Sequence, residues 1–300
     1  MIPGEERSTP PARRPPARRL GLAAVALLLA VLAGAVDSAA AVPAPPPAWE
    51  VYAVRYATLP AFPVAGLVAG ADTTRTLDIA AMFWVLRAAG GRCVLVDAGF
   101  HRQRYLDSWK PAGFVRPDQA VRRLGVLPQE VGDVVVTHVH WDHLDGADLF
   151  PNARLWIQRA EYDYYVGPGG VPAHEGIDSV HAALLARLRK LGRLRFVEGD
   201  AREIMPGVTA YTGGKHTYAS QYLGVRTARG TVVLASDNVY LYENLDRHVP
   251  IAQTLDADSN LAAQDRMKRI ASAERFIVPG HDPAVFERFP RVAPGVVRIE

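Results

Sequence analysis

Apolar positions along this chain follow two rhythms. Short runs rich in Val, Ile, Leu, Ala and aromatic residues recur at 51–58, 79–86, 92–97, 133–137, 153–157, 194–198, 208–212, 221–227, 231–236 and 276–278, and read as strands. Helical stretches are expected near 118–125, 159–166, 179–191 and 258–272. In the third of these, Val180, Leu184, Leu188 and Leu191 form an apolar stripe at helical spacing. Two β-rich halves with helices outside predict an α/β fold, a four-layer αβ/βα sandwich whose ligands bind at strand edges between the halves. No internal repeat is visible.

The first 41 residues break this pattern. Arg13, Arg14, Arg18 and Arg19 precede an apolar run from Leu20 to Val36, and Asp37 leads into Ser38-Ala39-Ala40-Ala41. A basic start, an apolar middle and a small-residue cleavage site make residues 1–41 a secretory signal peptide, so a periplasmic or secreted protein is expected. If the segment stays uncleaved, it becomes a membrane anchor, although its apolar run is near the lower limit for spanning. Residues 42–49 (VPAPPPAW) read as a Pro-rich linker, and residues 50–300 as the folded domain. With residues 1–41 go five arginines and three acids, taking the net charge from +3 to +1. The basic balance therefore says little about partners, and without a Lys/Arg cluster nucleic acid is not expected; the partner is a small-molecule substrate. A lone Cys93 in an apolar strand implies a buried thiol and no internal disulfide.

Chemistry concentrates in residues 137–143, THVHWDH, just after the β-branched run Val134-Val135-Val136. His138, His140, Asp142 and His143 are four metal ligands within six residues, placed where a strand runs out into a loop. Imidazoles with a carboxylate suit a borderline divalent ion such as zinc.

The motif HxHxDH after a hydrophobic strand resembles the signature of the metallo-β-lactamase superfamily of metallohydrolases. That resemblance implies three more ligands, each following a strand, and the chain supplies them in order: His216 after Val208–Thr212 and Gly213-Gly214, Asp237 after Thr231–Ser236, and His281 after Phe276–Pro279 and Gly280. By the same resemblance two divalent ions are implied, with zinc as the default. His138, His140 and His216 hold one, Asp142, His143 and His281 the other, and Asp237 bridges them. Asp97, closing Cys93-Val94-Leu95-Val96, is implied as a carboxylate supporting the ligands from behind.

The segment Ser236-Asp237-Asn238-Val239-Tyr240 is similar to the N-acyl homoserine lactonase branch, in which a tyrosine at the position of Tyr240 faces the substrate carbonyl. The implied activity is opening of an N-acyl homoserine lactone ring (quorum quenching), with Tyr240 and Asp142 as catalytic groups. The same fold acting on another ester, an organophosphate or a β-lactam is the alternative. Trp141 stands where a smaller aromatic is commoner in that branch, so acyl-chain preference does not carry over. The stretch Glu161–Tyr165 is expected either to line the pocket or to pack a helix. His181 is assigned to a helix stripe, and His101, His174 and His248 are not expected to be ligands.

Overall fold

The computed structural model describes Pro11 and residues 48–299. The expected signal peptide at 1–41 lies outside the described residues apart from Pro11. No described helix is long and apolar enough to cross a membrane. Of the expected linker 42–49 only the end is described. Its boundary needs correction: Trp49 is already in a strand and buried, because its indole is covered by core and its Nε1–H donates to Pro206 O at 3.0 Å.

Strands β1 (Trp49–Pro63), β2 (Thr76–Ala88), β3 (Cys93–Val96), β4 (Val131–Val135), β5 (Arg154–Gln158) and β6 (Leu194–Val197) lie in that order in one sheet. Its outer edge beyond β1 is formed by two strands from the chain's far end, Arg291–Ala293 and Val296–Arg298. The second sheet is built from β7 (Arg202–Met205), β8 (Val208–Thr212), β9 (Gln221–Thr227), β10 (Gly230–Ser236) and β11 (Ile277–Pro279). Helices α1 (Gln103–Trp109), α2 (Pro117–Ala120), α3 (Trp141–Leu144), α4 (Arg159–Tyr165), α5 (Ser179–Lys190), α6 (Tyr242–Arg247) and α7 (Ala257–Ile270) connect them.

Why the strands are apolar on both faces is visible in β2. Ile79, Ala81, Phe83 and Val85 enter one core with α1, α2 and α5, while Ala80, Met82, Trp84 and Leu86 enter a second core shared with β8 to β11. A side-chain period of two thus feeds two cores from one strand. Helices cover the far side of the first sheet, α7 packs on the second through Ala263 and Met267, and the four-layer sandwich results. Pairing is parallel along β3-β4-β5-β6 and antiparallel elsewhere in the first sheet; in the second, β10 and β11 alone run parallel. Parallel strands share one C-terminal edge, which is where ligands collect in layered folds.

Candidate metal centre

Five loops deliver the site, each leaving the end of a strand. Asp97 follows β3, His138 to His143 follow β4 and open α3, His216 follows β8, Asp237 follows β10, and His281 follows β11. Three of these turns hold a non-glycine residue in the left-handed region: Asp97 itself (φ 62°), Lys215 before His216 (φ 48°) and Ser236 before Asp237 (φ 49°). Such conformations cost of order 1 kcal/mol each and persist where surrounding contacts impose them. Two glycines permit the close approaches. A Cβ at Gly214 would lie 2.2 Å from Asn238 Oδ1, and one at Gly280 would lie 2.7 Å from Asp237 Oδ1. Glycine at 214 thus seats the His216 loop against the Asp237 loop, rather than against the ligand cluster itself.

All seven sequence-expected ligands converge in two groups. In the first, His140 Nδ1 lies 3.1 Å from His138 Nε2 and 2.9 Å from His216 Nε2. Asp237 Oδ2 faces them at 3.7 Å from His138 Nε2 and 3.4 Å from His216 Nε2. In the second, Asp237 Oδ1 lies 3.2 Å from His143 Nε2 and 3.1 Å from His281 Nε2, and Asp142 Oδ2 lies 3.5 and 3.6 Å from the same two nitrogens. Asp237 therefore turns one oxygen to each group.

The donor set fits divalent cations. Ligand atoms around a tetrahedral zinc with bonds of ~2.0–2.1 Å sit about 3.3 Å apart, close to most of the separations here. His143 Nε2 and Asp237 Oδ1 are buried, and neither makes a well-aligned hydrogen bond. Three carboxylates, Asp97, Asp142 and Asp237, are gathered here, and among the described residues their ion-pair partners are histidines only. Burial alone would lower the His143 pKa, but Asp237, Asp142 and Asp97 outweigh it and raise it well above the usual value. Burial likewise opposes ionisation of Asp237, yet His143 and His281 hold it well below the carboxylate range. A negative field of this kind is balanced by bound cations.

Each of four imidazoles has its other ring nitrogen anchored, which fixes the tautomer. His143 Nδ1 meets Asp97 Oδ2 at 2.8 Å, His281 Nδ1 meets Ala80 O at 3.0 Å, His216 Nδ1 meets Gln253 O at 2.8 Å, and His138 Nδ1 meets Thr137 Oγ1 at 3.0 Å. Asp97 also accepts from Thr137 N at 2.8 Å and Thr137 Oγ1 at 3.0 Å.

A cavity of about 110 Å³ opens onto the centre, walled by Leu59, Phe62, Leu67, Ile79, Trp109 and Trp141, with His140, Asp142, Asp237, Tyr240 and His281 at its polar end. Tyr240 is buried between the rings of His216 and His281. Burial, then Asp237 and Asp142, push its pKa well up, so the hydroxyl keeps its proton. Its contact with His216 Nδ1 is long, 3.4 Å, which leaves the O–H available to a ligand.

A family model described as the metallo-beta-lactamase superfamily matches residues 79–281, more than half of the chain and a span that includes all seven expected ligands. The chain belongs to the metallo-beta-lactamase superfamily. It is 30% identical over 164 residues to an N-acyl homoserine lactonase from Bacillus sp, covering 54% of this chain and 60% of that relative's length. A crystal structure of a quorum-quenching N-acyl homoserine lactone lactonase shares the fold at TM-score 0.67 and 22% identity, over 83% of this chain and 98% of that one. AidC, described as a dizinc quorum-quenching lactonase in complex with a product, does so at TM-score 0.59 and 14% identity, over 84% and 94%.

Within this superfamily chain the other expectations divide. His181 is buried in α5 as expected, but its Nε2 is 2.8 Å from Asp145 Oδ1. His101 and His248, not expected to be ligands, pair with acids away from the centre: His101 Nε2 lies 2.9 Å from Asp148 and His248 Nε2 3.1 Å from Asp265. Tyr242 packs in the inter-sheet core under the Arg288 guanidinium, away from the pocket. Tyr162 and Tyr165 pack α4 onto the first core, and the cavity wall holds none of residues 161–165.

Two acids escaped the sequence reading. Asp145, two residues past His143, accepts from His101 N at 2.8 Å, Arg102 N at 3.0 Å and the Arg102 guanidinium, bracing α3 from behind. Burial opposes its ionisation, yet His181 and these donors hold its pKa well down. Glu161 is buried on α4 and accepts from three donors. Its only sequence signal was an acid inside an otherwise packing stretch. Trp109, on the unexpected helix α1, is the third omission; it stacks on both Phe62 and Trp141 at centroid distances of 5.9 and 5.3 Å.

Proposed function

We propose that this chain is an exported dinuclear, zinc-loaded hydrolase that opens the lactone ring of N-acyl homoserine lactones. The observation that carries the reading is Asp237, one oxygen toward each of two ligand groups at the polar end of an apolar pocket. In this reading His138, His140 and His216 would hold one ion and Asp142, His143 and His281 the other, with Asp237 shared between the two groups. Bound divalent ions supply Lewis-acid polarisation of a carbonyl and a water of lowered pKa.

The chain's own groups do the rest. The apolar wall takes the acyl chain and keeps bulk water out, which strengthens every polar contact inside. Tyr240 O–H donates to the carbonyl oxygen as it gains negative charge, a contribution of ~2.7–4 kcal/mol in comparable sites. Asp142 remains ionised: burial disfavours its charge, but His143 and His281 lower its pKa. Its carboxylate accepts the proton of the attacking water and returns it to the alcohol released from the ring.

The named activity of the Bacillus relative and the lactonase neighbours support this substrate class. The test is proton release from an N-acyl homoserine lactone followed by pH-stat. Zinc-loaded protein turns over well above metal-stripped protein; equal rates with zinc demonstrably bound would refute the lactonase reading. Export rests on the amino-terminal pattern and is checked by cell fractionation: the mature protein is expected outside the cytoplasm, beginning after residue 41, and cytoplasmic protein retaining residues 1–41 would contradict it.

A further inference from the structure

Glu161 stands on α4, outside every strand-end loop, yet its carboxylate reaches between two of them. Its Oε1 accepts from Val139 N at 3.2 Å and from Thr217 Oγ1 at 2.6 Å, and its Oε2 accepts from Ala219 N at 2.7 Å. Val139 lies between His138 and His140, and Thr217 follows His216 directly. One buried side chain therefore joins the two segments that carry all three imidazoles of the first ligand group. Among the described residues no such hydrogen bond links it to the second group, whose supports are Asp97 on His143 and Ala80 O on His281.

We propose that Glu161 is a positioning residue for the first metal site alone, setting the spacing of His138 and His140 against His216 and hence the affinity of that site for its ion. The proposal rests on the two-ion reading above. A buried carboxylate that accepts from an N–H or O–H on each loop resists their separation in both directions, since stretching either bond leaves a buried polar group unpaired. A second tie, Gln221 N to Thr137 O at 2.9 Å, joins the residue before His138 to one five positions past His216, so the loops stay paired without Glu161 but lose the restraint at Thr217, beside His216. Outer-shell restraints of this sort change metal affinity about 10–100-fold.

Glutamine at 161 keeps one acceptor and replaces the other with an NH₂ that cannot accept, so at least one of the three donors is left unpaired. The experiment measures zinc affinity by competition with a chromophoric chelator for Glu161→Gln in two single-site backgrounds. With His281→Ala disabling the second site, Glu161→Gln should weaken zinc binding about 10–100-fold. With His216→Ala disabling the first site, it should leave the affinity within about twofold. Thr217→Val, which deletes only the hydroxyl donor, provides a milder variant and should weaken the first site by less than Glu161→Gln.

Equal losses in both backgrounds, accompanied by a lower melting temperature of the metal-free protein, would overturn the proposal in favour of a general structural role. No loss in the His281→Ala background would overturn it outright. The two readings fail separately. Wild-type protein saturating at a single ion contradicts the dinuclear assignment. If His216→Ala abolishes that ion, it belongs to the first site, and Glu161→Gln must then weaken it or the Glu161 role is refuted. If His281→Ala abolishes it, Glu161→Gln must leave it unchanged or the Glu161 role is refuted.

Discussion

Replacing Asp97 by Asn tests how the second ligand group is held. The wild-type carboxylate divides its work: Oδ1 accepts from Thr137 N at 2.8 Å, and Oδ2 accepts from His143 Nδ1 at 2.8 Å, Thr137 Oγ1 at 3.0 Å and Ser236 Oγ at 3.2 Å. Asparagine preserves the first contact and places an NH₂ at the second. The two hydroxyls rotate and become acceptors, but His143 cannot keep its Nδ1 proton against a donor. Its favoured tautomer then carries the proton on Nε2, the atom that faces Asp237 at 3.2 Å and Asp142 at 3.5 Å and is needed as a lone pair for metal. A lost hydrogen bond to a charged group is worth about 1.5–3 kcal/mol, or roughly 10- to 150-fold in affinity. Thr137 Oγ1 passes a smaller effect to His138, which it meets at 3.0 Å. In competition titrations Asp97→Asn should thus weaken the Asp142/His143/His281 site by about 10–100-fold and the first site by less. Affinity unchanged at the second site, or a larger loss at the first, would refute the reasoning.

Tyr240→Phe removes the proposed oxyanion donor without disturbing a ligand, so kcat should fall about 100- to 1000-fold with KM within a few-fold, and an unchanged kcat would contradict its role. Trp109→Ala opens the pocket wall between Phe62 and Trp141; two newly buried methylenes at ~0.8 kcal/mol each should raise kcat/KM for long-chain over short-chain acyl lactones roughly tenfold. Gly280→Ala sets a Cβ against Asp237 Oδ1 and the Ser236 backbone, so zinc content measured by elemental analysis should drop while far-ultraviolet dichroism holds. Burial opposes ionisation of Asp133, but hydrogen bonds from Arg154, Trp156 and Arg92 outweigh it and hold its pKa below the ordinary 3.8. That stabilisation is in place above pH ~4 and lost as pH falls through the depressed value. Asp133→Asn should cost about 1–2 kcal/mol in denaturant unfolding at pH 7, the guanidinium partners being partly solvent-screened, with the difference fading as pH falls through the depressed value. An equal cost above and below that value would count against it.

The expected ligands were legible because each lies within a few residues past an apolar run, and residues near strand ends need no long-range packing to be located. His216, Asp237 and His281 needed the family resemblance as well, since a single histidine or aspartate past a strand has no metal signature of its own, unlike the compact THVHWDH motif. Strands apolar on both faces, such as β2 and β10, declared themselves by their apolar runs. What stayed hidden depends on distant partners. The strands Arg291–Ala293 and Val296–Arg298 have weak patterns of their own; Val296–Arg298 pairs with β1, more than 200 residues away, and Arg291–Ala293 pairs in turn with Val296–Arg298. Helix α1 spans only seven residues and carries too few turns to show a period; Tyr105, its buried residue, and Trp109 are fixed by stacking on Trp141. Asp145 and Glu161 look like ordinary helix acids until the loops they bond are in place.

The most direct test of the whole account is anomalous diffraction at the zinc edge from crystals of zinc-loaded protein. The account predicts two peaks per chain, one among His138, His140 and His216 and one among Asp142, His143 and His281, with the Asp237 carboxylate between them. A single peak, or peaks away from Asp237, would contradict it.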